Sequence, residues 1–238
     1  MMDTQTINIV LPVALKEVFD EIVPSFIAQT GHRFAVALML NPEVPGYVKT
    51  GADWSIALSN PSYIQTIVDD NRCNKDGLQV LGHSPLCLAM RGDSTTAPSQ
   101  DPAAIAAFLA QADSIAITDS GTSGAQFSKL AAQLDIAQKI QGKLRWMPGG
   151  GPMAALQSGD VQVAALPLTN VAPVHGVHAK FICPLQMDVH IDLALCVATQ
   201  ANAATLDFAA WLQQPSLQKR LHSLGLHTRI VQNQPDPA

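Results

Sequence analysis

Residues 115–127, IAITDSGTSGAQF, are the segment of the chain most suited to binding chemistry. The pattern predicts a buried strand, a turn over residues 120–124 and then a helix. A helix start exposes unpaired backbone N–H groups and the positive end of the helix dipole. The hydroxyls of Thr122 and Ser123 add donors, and Gly124 lets the backbone come close to a ligand. These features predict an anion-binding turn that needs no Lys or Arg, with an ordinary capped helix start as the alternative.

A second glycine-rich turn occupies residues 148–152, just before another run with helical spacing. Three successive glycines suggest that the backbone approaches a ligand closely, in addition to forming a turn. Gly150 and Gly151 are therefore candidate ligand contacts. The GGGP run lacks the Lys-Ser/Thr pair of a phosphate-binding loop, and the sequence has no GxSxG elbow or dinucleotide fingerprint. The motifs give no support for nucleophilic catalysis.

The composition excludes several classes of protein. Of the 238 residues, 47% are hydrophobic and only 14% are charged, and the net charge is −5. This argues against a nucleic-acid partner or an anionic membrane surface, and no apolar run approaches the roughly 20 residues that span a bilayer. The cysteines lack CxxC spacing and mostly lie in apolar runs, which predicts buried structural thiols. We predict no cofactor. The four cysteines are Cys73, Cys87, Cys183 and Cys196.

Strand-like and helix-like segments alternate along the chain, which predicts an α/β architecture. Gly31 is expected to end the first helix, whose apolar face would carry Leu15, Val18, Ile22, Phe26 and Ile27. Turns or loops are expected at residues 41–46, 71–77 and 92–101. The predicted strands are residues 7–11, 34–40, 55–59, 78–90, 115–118, 144–147, 161–166, 180–183 and 188–199. The predicted helices are residues 15–30, 61–70, 102–112, 153–158, 204–213 and 216–224, with a short one ending at Gly51 and an amphipathic one that carries Phe127, Leu130, Ala131 and Leu134.

Two long extended runs flank the central block of the chain. The run at residues 78–90 is interrupted at residues 82–85, and residues 188–199 form the second run. We expect both runs to cross between two lobes, one of residues 1–83 plus 189–238 and the other of residues 84–188. Ligands of open α/β sheets bind beyond the carboxyl ends of the strands. We therefore expect a cleft that closes about two hinge crossings.

With the elements in this order, the chain resembles type 2 periplasmic solute-binding proteins, in particular the molybdate-binding-protein-like branch. The resemblance rests on INIVLPVALKEVFDEIVPSFIAQTG at the front and on AITDSGTSGAQFSKLAAQLDI and KLRWMPGGGPMAALQSGDVQVAALPLTNV in the middle. LDFAAWLQQPSLQKRLHSLGL resembles the terminal helix pair of that family. The resemblance implies a two-lobed fold, each lobe being a mixed or parallel sheet flanked by helices.

The chain departs from this family where its molybdate binders carry hydroxyl ligands. The resemblance implies a serine after the first strand, where this chain has Ala14, and paired hydroxyls after the second strand, where it has Asn41 and Pro42. Molybdate and tungstate are therefore not expected as ligands. A small organic acid fits better, with its carboxylate on residues 120–124 and its carbon body near Pro12 and Val13.

Further polar residues lie at the predicted strand ends. Ser59 and Asn60 are placed to cap the next helix or to bind the ligand. His83 and Ser84 interrupt the first crossing, where a histidine could donate to a carboxylate, move a proton or simply be satisfied by the backbone. Thr169 is a further candidate for the cleft, together with Asn170. Asn41 either reaches the ligand or serves its turn.

Four other residues carry alternatives that the sequence leaves open. Arg145 is a possible partner for a ligand carboxylate, or else a solvated strand end. The sequence also allows a metal site formed by His175, His178 and His190. This hypothesis is disfavoured, because their spacing is not a helical HxxxH and their surroundings are typical of loops and strands.

The preferred hypothesis is a monomeric, non-catalytic binding protein that closes on a small anionic ligand and delivers it to a membrane permease of the ABC type. The second hypothesis is a cofactor-independent isomerase, since some proteins that resemble this branch isomerise unsaturated tricarboxylates such as aconitate; His83 would be its base. The third is a cytoplasmic ligand sensor. Residues 1–6 do not resemble a signal peptide, so the protein is expected to be cytoplasmic, or periplasmic if a signal peptide has been removed.

Overall fold

In the computed structural model, which describes residues 4–74 and 77–228, the chain separates into two units. Among the described residues, unit 1 contains those up to 83 and those from 192 to 228, and unit 2 contains residues 84–191. The chain passes from one unit to the other within strand β4 (Gln79–Arg91) and returns within strand β9 (His190–Val197). Within the described ranges, no helix is both long enough and apolar enough to cross a membrane.

Unit 1 is a four-stranded sheet with helices around it. The strand order is β2-β1-β3-β9. Strands β1, β2 and β3 are parallel to one another, and β9 runs antiparallel to β3. Its other strands are β1 (Thr6–Pro12), β2 (Arg33–Met39) and β3 (Ile56–Ser59). Its helices are α1 (Lys16–Thr30), α2 (Val44–Lys49), α3 (Pro61–Asp69), α8 (Ala203–Leu212) and α9 (Pro215–Ser223).

The core of unit 1 includes an aromatic cluster between α1, β2 and α8. The Phe208 ring lies 4.9 Å from that of Phe34 and 5.1 Å from that of Phe26, both in edge-to-face geometry, which suits the charge distribution of aromatic rings. Gly31 ends α1 in the left-handed conformation, as predicted. The predicted apolar face was wrong in one position, because Ile27 is 40% exposed.

The predicted turn at residues 41–46 is instead largely helical. A 3-10 turn at Asn41–Glu43 leads directly into α2. The Glu43 carboxylate accepts from the Leu40 N–H at 2.7 Å, and this bond satisfies a backbone donor at the helix start. Of the predicted loop at residues 71–77, residues 75 and 76 lie outside the described residues.

Unit 2 contains a mixed sheet in the order β4-β7-β5-β6, with β8 also paired to β4. Strands β5, β6 and β7 are parallel, and β4 runs antiparallel to β7 and β8. The strands are β5 (Ile115–Thr118), β6 (Leu144–Met147), β7 (Val163–Pro167) and β8 (Val177–Ile182). The helices are α4 (Pro102–Gln111), α5 (Thr122–Gln133), α6 (Ala137–Ile140) and α7 (Gly151–Ser158).

The predicted interruption of the first crossing at residues 82–85 was wrong, because β4 is one continuous strand of 13 residues. Gly82 adopts a φ of 152°, and a Cβ there would lie 2.4 Å from the carbonyl oxygen of His227. The glycine therefore allows the close pairing of the strand with residue 227, and no break is needed.

Replacing Phe208 by alanine should lower the free energy of unfolding by about 3–5 kcal/mol, because it leaves a cavity at the centre of the aromatic cluster. Phe208 is 1% exposed. Leu206→Ala on the same helix is the control, since Leu206 is 56% exposed and its loss should change stability by less than about 0.5 kcal/mol. Urea unfolding followed by circular dichroism measures both. Equal effects of the two substitutions would contradict this packing.

Candidate functional site

The carboxyl ends of three parallel strands define one edge of the unit 2 sheet. Strand β5 ends at Thr118, β6 at Met147 and β7 at Pro167. Strand β4 runs the opposite way, and Leu86 pairs with Pro167, so Ser84 lies at the same edge. The topology therefore brings together the predicted segments around residues 84, 120–124, 148–151 and 169.

Helix α5 begins at this edge without a capping side chain. Its N-cap is Gly121, which has no side-chain acceptor. The Ser123 hydroxyl donates to the Thr118 hydroxyl at 3.2 Å. A Cβ on Gly124 would lie only 1.9 Å from the Thr118 carbonyl oxygen. The glycine predicted to admit a ligand is thus required by the packing of the helix start on the end of its strand.

Helix α7 begins beside α5, two residues earlier than predicted. Its N-cap is Gly150, in the left-handed conformation with a φ of 82° and no side-chain cap bond. A Cβ on Gly151 would lie 2.9 Å from that of Met147, so this glycine also permits a close turn. The Asp119 N–H donates to the Met147 carbonyl at 2.9 Å, which ties the two helix starts together.

The electrostatics of this edge come from the backbone. Residues 118–124, 147–151 and 167–170 contain no Lys or Arg, whereas two helix N-termini carry partial positive charge. The carboxylate of Asp119 accepts from the Ser120 hydroxyl at 2.8 Å. Arg145 is directed elsewhere, because its guanidinium donates to the carbonyls of residues 142 and 144. The edge suits an anion that accepts hydrogen bonds from neutral donors.

Ser84 and Thr169 are joined to each other inside unit 2. The Ser84 hydroxyl oxygen accepts from the Thr169 N–H at 3.0 Å and lies 3.1 Å from the Thr169 hydroxyl. Both residues are completely buried, and Asn170 is nearly so. The contact fixes the 3-10 turn Leu168–Asn170 to β4 and so holds the end of β7 in place.

The corresponding edge of unit 1 follows β1, β2 and β3. The Ser59 hydroxyl lies 3.0 Å from the Asn41 carbonyl oxygen and 3.1 Å from its side-chain oxygen, and both residues are buried. Its single proton is therefore used within the unit. A 3-10 turn begins after Pro12, and Val13 is more exposed than Ala14.

The expectation that Asn60 caps the next helix was wrong. Asn60 is the N-cap of α3 by position, but it makes no side-chain cap bond. Its amide instead donates to the Asp192 carbonyl at 2.9 Å. The sequence signal was ambiguous, because an asparagine at a strand end satisfies either its own helix or a neighbouring strand.

Comparison with known proteins identifies the family. The model of the bacterial extracellular solute-binding proteins matches residues 7–227. The chain belongs to this family. No curated protein matches the sequence.

Solved structures confirm the two-lobed α/β fold and the resemblance to the molybdate-binding branch. The periplasmic molybdate-binding protein of Azotobacter vinelandii has a TM-score of 0.78 at 14% identity, with 92% of this chain and 98% of that chain covered. The sulfate-binding protein SubI of Mycobacterium tuberculosis has a TM-score of 0.71 at 15% identity, with 94% and 87% covered. Peb3 of Campylobacter jejuni has a TM-score of 0.64 at 12% identity, with 92% and 98% covered.

In this solute-binding protein, His83 belongs to a cluster of three histidines within unit 1. The backbone N–H of His83 donates to the backbone carbonyl of His227 at 3.0 Å. The backbone N–H of His227 donates to the carbonyl of His83 at 2.8 Å. The rings of His83 and His227 lie 5.5 Å apart, and the His222 ring stacks on His227 at 4.4 Å. Burial, and next the neighbouring His222 and His83, lower the pKa of His227 to about 4.

Two of the three histidines considered as metal ligands, His178 and His190, have separate contacts. The His178 ring nitrogen lies 2.9 Å from the Gly92 carbonyl oxygen, and that of His190 lies 3.7 Å from the Asp188 carboxylate. Sequence reasoning overlooked Thr118, which contacts both Ser123 and Gly124. Its position directly before the DSGTSG turn was the available signal.

Because the pKa of His227 is about 4 when folded and near 6.5 when unfolded, the unfolded chain binds more protons between these values. The free energy of unfolding should therefore fall as the pH is lowered from 6.5 to 4, by up to about 1.4 kcal/mol per pH unit. His227→Asn should flatten this slope in urea titrations at several pH values. The exposed His175→Asn serves as control and should keep the original slope; an unchanged slope in His227→Asn would contradict the assignment.

Proposed function

We propose that this solute-binding protein takes up a small organic anion, with one carboxylate held at the unit 2 edge by the starts of α5 and α7. The observation that carries this proposal is the side-by-side arrangement of two helix N-termini, each with a glycine N-cap and joined through the Asp119–Met147 bond. The N–H groups of a helix start and the helix dipole favour a negative group there.

The unit 1 edge supports an organic anion over a tetrahedral inorganic one. A small oxyanion in a cation-free site needs hydroxyl or N–H donors around most of its oxygens. Pro12 and Ala14 offer no hydroxyl, and the Ser59 proton is directed to Asn41. An organic acid needs donors for its carboxylate alone, so the lack of hydroxyls at Pro12 and Ala14 does not count against it.

The structural neighbours include proteins named for both kinds of ligand. Two of them are named for molybdate and sulfate, and Peb3 has been solved with L-phospholactate bound, which is an organic anion. At 12–15% identity these likenesses show a shared fold, so the ligand must be argued from the site. The missing hydroxyls favour the organic class.

We further propose that the protein is exported, is monomeric and closes its lobes on the ligand. Its physiological role would be to deliver the ligand to an ABC-type transporter for uptake. Small-angle X-ray scattering tests closure through a smaller radius of gyration in the presence of ligand. The isomerase and sensor hypotheses stay predictions. Incubation with cis- and trans-aconitate, followed by double-bond absorbance, tests the isomerase.

Gly124→Ala should weaken anion binding at least about tenfold, equal to about 1.4 kcal/mol, because the new methyl group displaces the start of α5 from Thr118. Isothermal titration calorimetry with di- and tricarboxylates, sulfate and molybdate measures the effect. Gly142→Ala is the matched control, since a Cβ at that position meets nothing within 4 Å.

Two outcomes separate the parts of the proposal. Unchanged affinity in Gly124→Ala would overturn the location of the site. Binding of molybdate or sulfate without any carboxylate would overturn the organic class of ligand and leave the anion site intact.

A further inference from the structure

Two of the four cysteines form a contacting pair within unit 1. Cys73 makes an isolated antiparallel bridge with Ala198, which lies two residues beyond Cys196. Because side chains alternate along an extended chain, Cys73 and Cys196 lie on the same face. Each thiol affects the pKa of the other, and both residues belong to one apolar core cluster. Both are free thiols in the structure.

The other two cysteines lie on or next to the paired strands β4 and β8, and we expect their side chains to face away from each other. Cys87 of β4 pairs with Ile182 of β8, and the N–H of the next residue, Cys183, donates to the Leu86 carbonyl at 2.9 Å. If the alternation of β8 continues to Cys183, the side chains of Cys87 and Cys183 lie on opposite faces of the sheet, whereas the thiol of Cys183 still contributes, after burial, to the raised pKa of Cys87. A disulfide requires the two Cβ atoms to approach within about 4.5 Å on the same side, so this pair is not suited to one.

We propose that Cys73 and Cys196 form a disulfide bond when the chain folds in an oxidising compartment, while Cys87 and Cys183 remain thiols. The extracellular family supports such a compartment, since disulfides form and persist in oxidising environments. The proposal does not depend on the identity of the ligand.

The bond would form by exchange with an external disulfide, such as oxidised glutathione. One cysteine thiolate attacks the external disulfide and releases one reduced thiol; the second cysteine then attacks the mixed disulfide and releases the other. The two cysteines lose two protons and two electrons, and the electrons reduce the external disulfide. Burial raises the pKa of the Cys73 and Cys196 thiols, so exchange in the folded protein should be slow, and the bond should form during folding.

The position of this pair gives the bond a structural role. Cys73 precedes the passage of the chain into unit 2, and Cys196 follows its return. A bond between them would join the two separate chain segments of unit 1 and enclose all of unit 2 in one covalent loop. Closing so long a loop restricts the unfolded chain strongly.

The test is to unfold the reduced full-length chain, refold it with oxidised glutathione and map its peptides without reduction. We expect one linked pair, Cys73 with Cys196, and a fall in the number of free thiols from four to two. The melting temperature should drop by about 5–15 °C on reduction.

Variants separate the bond from a general effect of reductant. Cys196→Ala should melt at one temperature with or without reductant, whereas Cys183→Ala should retain the difference. Four free thiols in the refolded chain, or a link between any other pair, would overturn the proposal. If Cys196→Ala fails to fold, the peptide map of the unaltered chain still decides.

Discussion

The parallel pairing of β5 with β6 is the constraint on which the candidate site depends. Thr118 is in register with Met147, so the turns that follow the two strands, and the helices that follow the turns, begin next to each other. The Thr118 carbonyl then sets how closely α5 approaches, since only a glycine fits at position 124. The anion-binding character of this edge arises from backbone geometry, and the sequence there carries no cationic side chain.

The two sheet edges differ in how they use their polar groups. In unit 1, the Ser59–Asn41 and Asn60–Asp192 contacts direct side-chain protons to acceptors within the unit. In unit 2, the Thr169 hydroxyl likewise donates to Ser84, but the starts of α5 and α7 have glycine N-caps, which carry no side-chain acceptor. Recognition of charge is therefore expected mainly at unit 2.

Most of the fold was accessible from the sequence, because its strands and helices have clear periodicity and glycine or proline boundaries. The errors occurred where tertiary contacts decide. The break predicted in β4 at Gly82 is a site of close pairing with His227, Ile27 is left exposed although its spacing suits the buried face, and Asn60 bonds to a distant carbonyl. The candidate site was predicted in part: the helix starts were recognised, but local periodicity cannot show that Thr118 packs against Gly124.

The central claim is that an anion is held by the starts of α5 and α7. It is tested most directly by amide NMR of the ¹⁵N-labelled protein during titration with a tricarboxylate. The account predicts that the largest shift changes occur at the N–H groups of Ser123, Gly124 and Met153. Saturable binding that leaves these three signals unmoved and shifts signals elsewhere would contradict it.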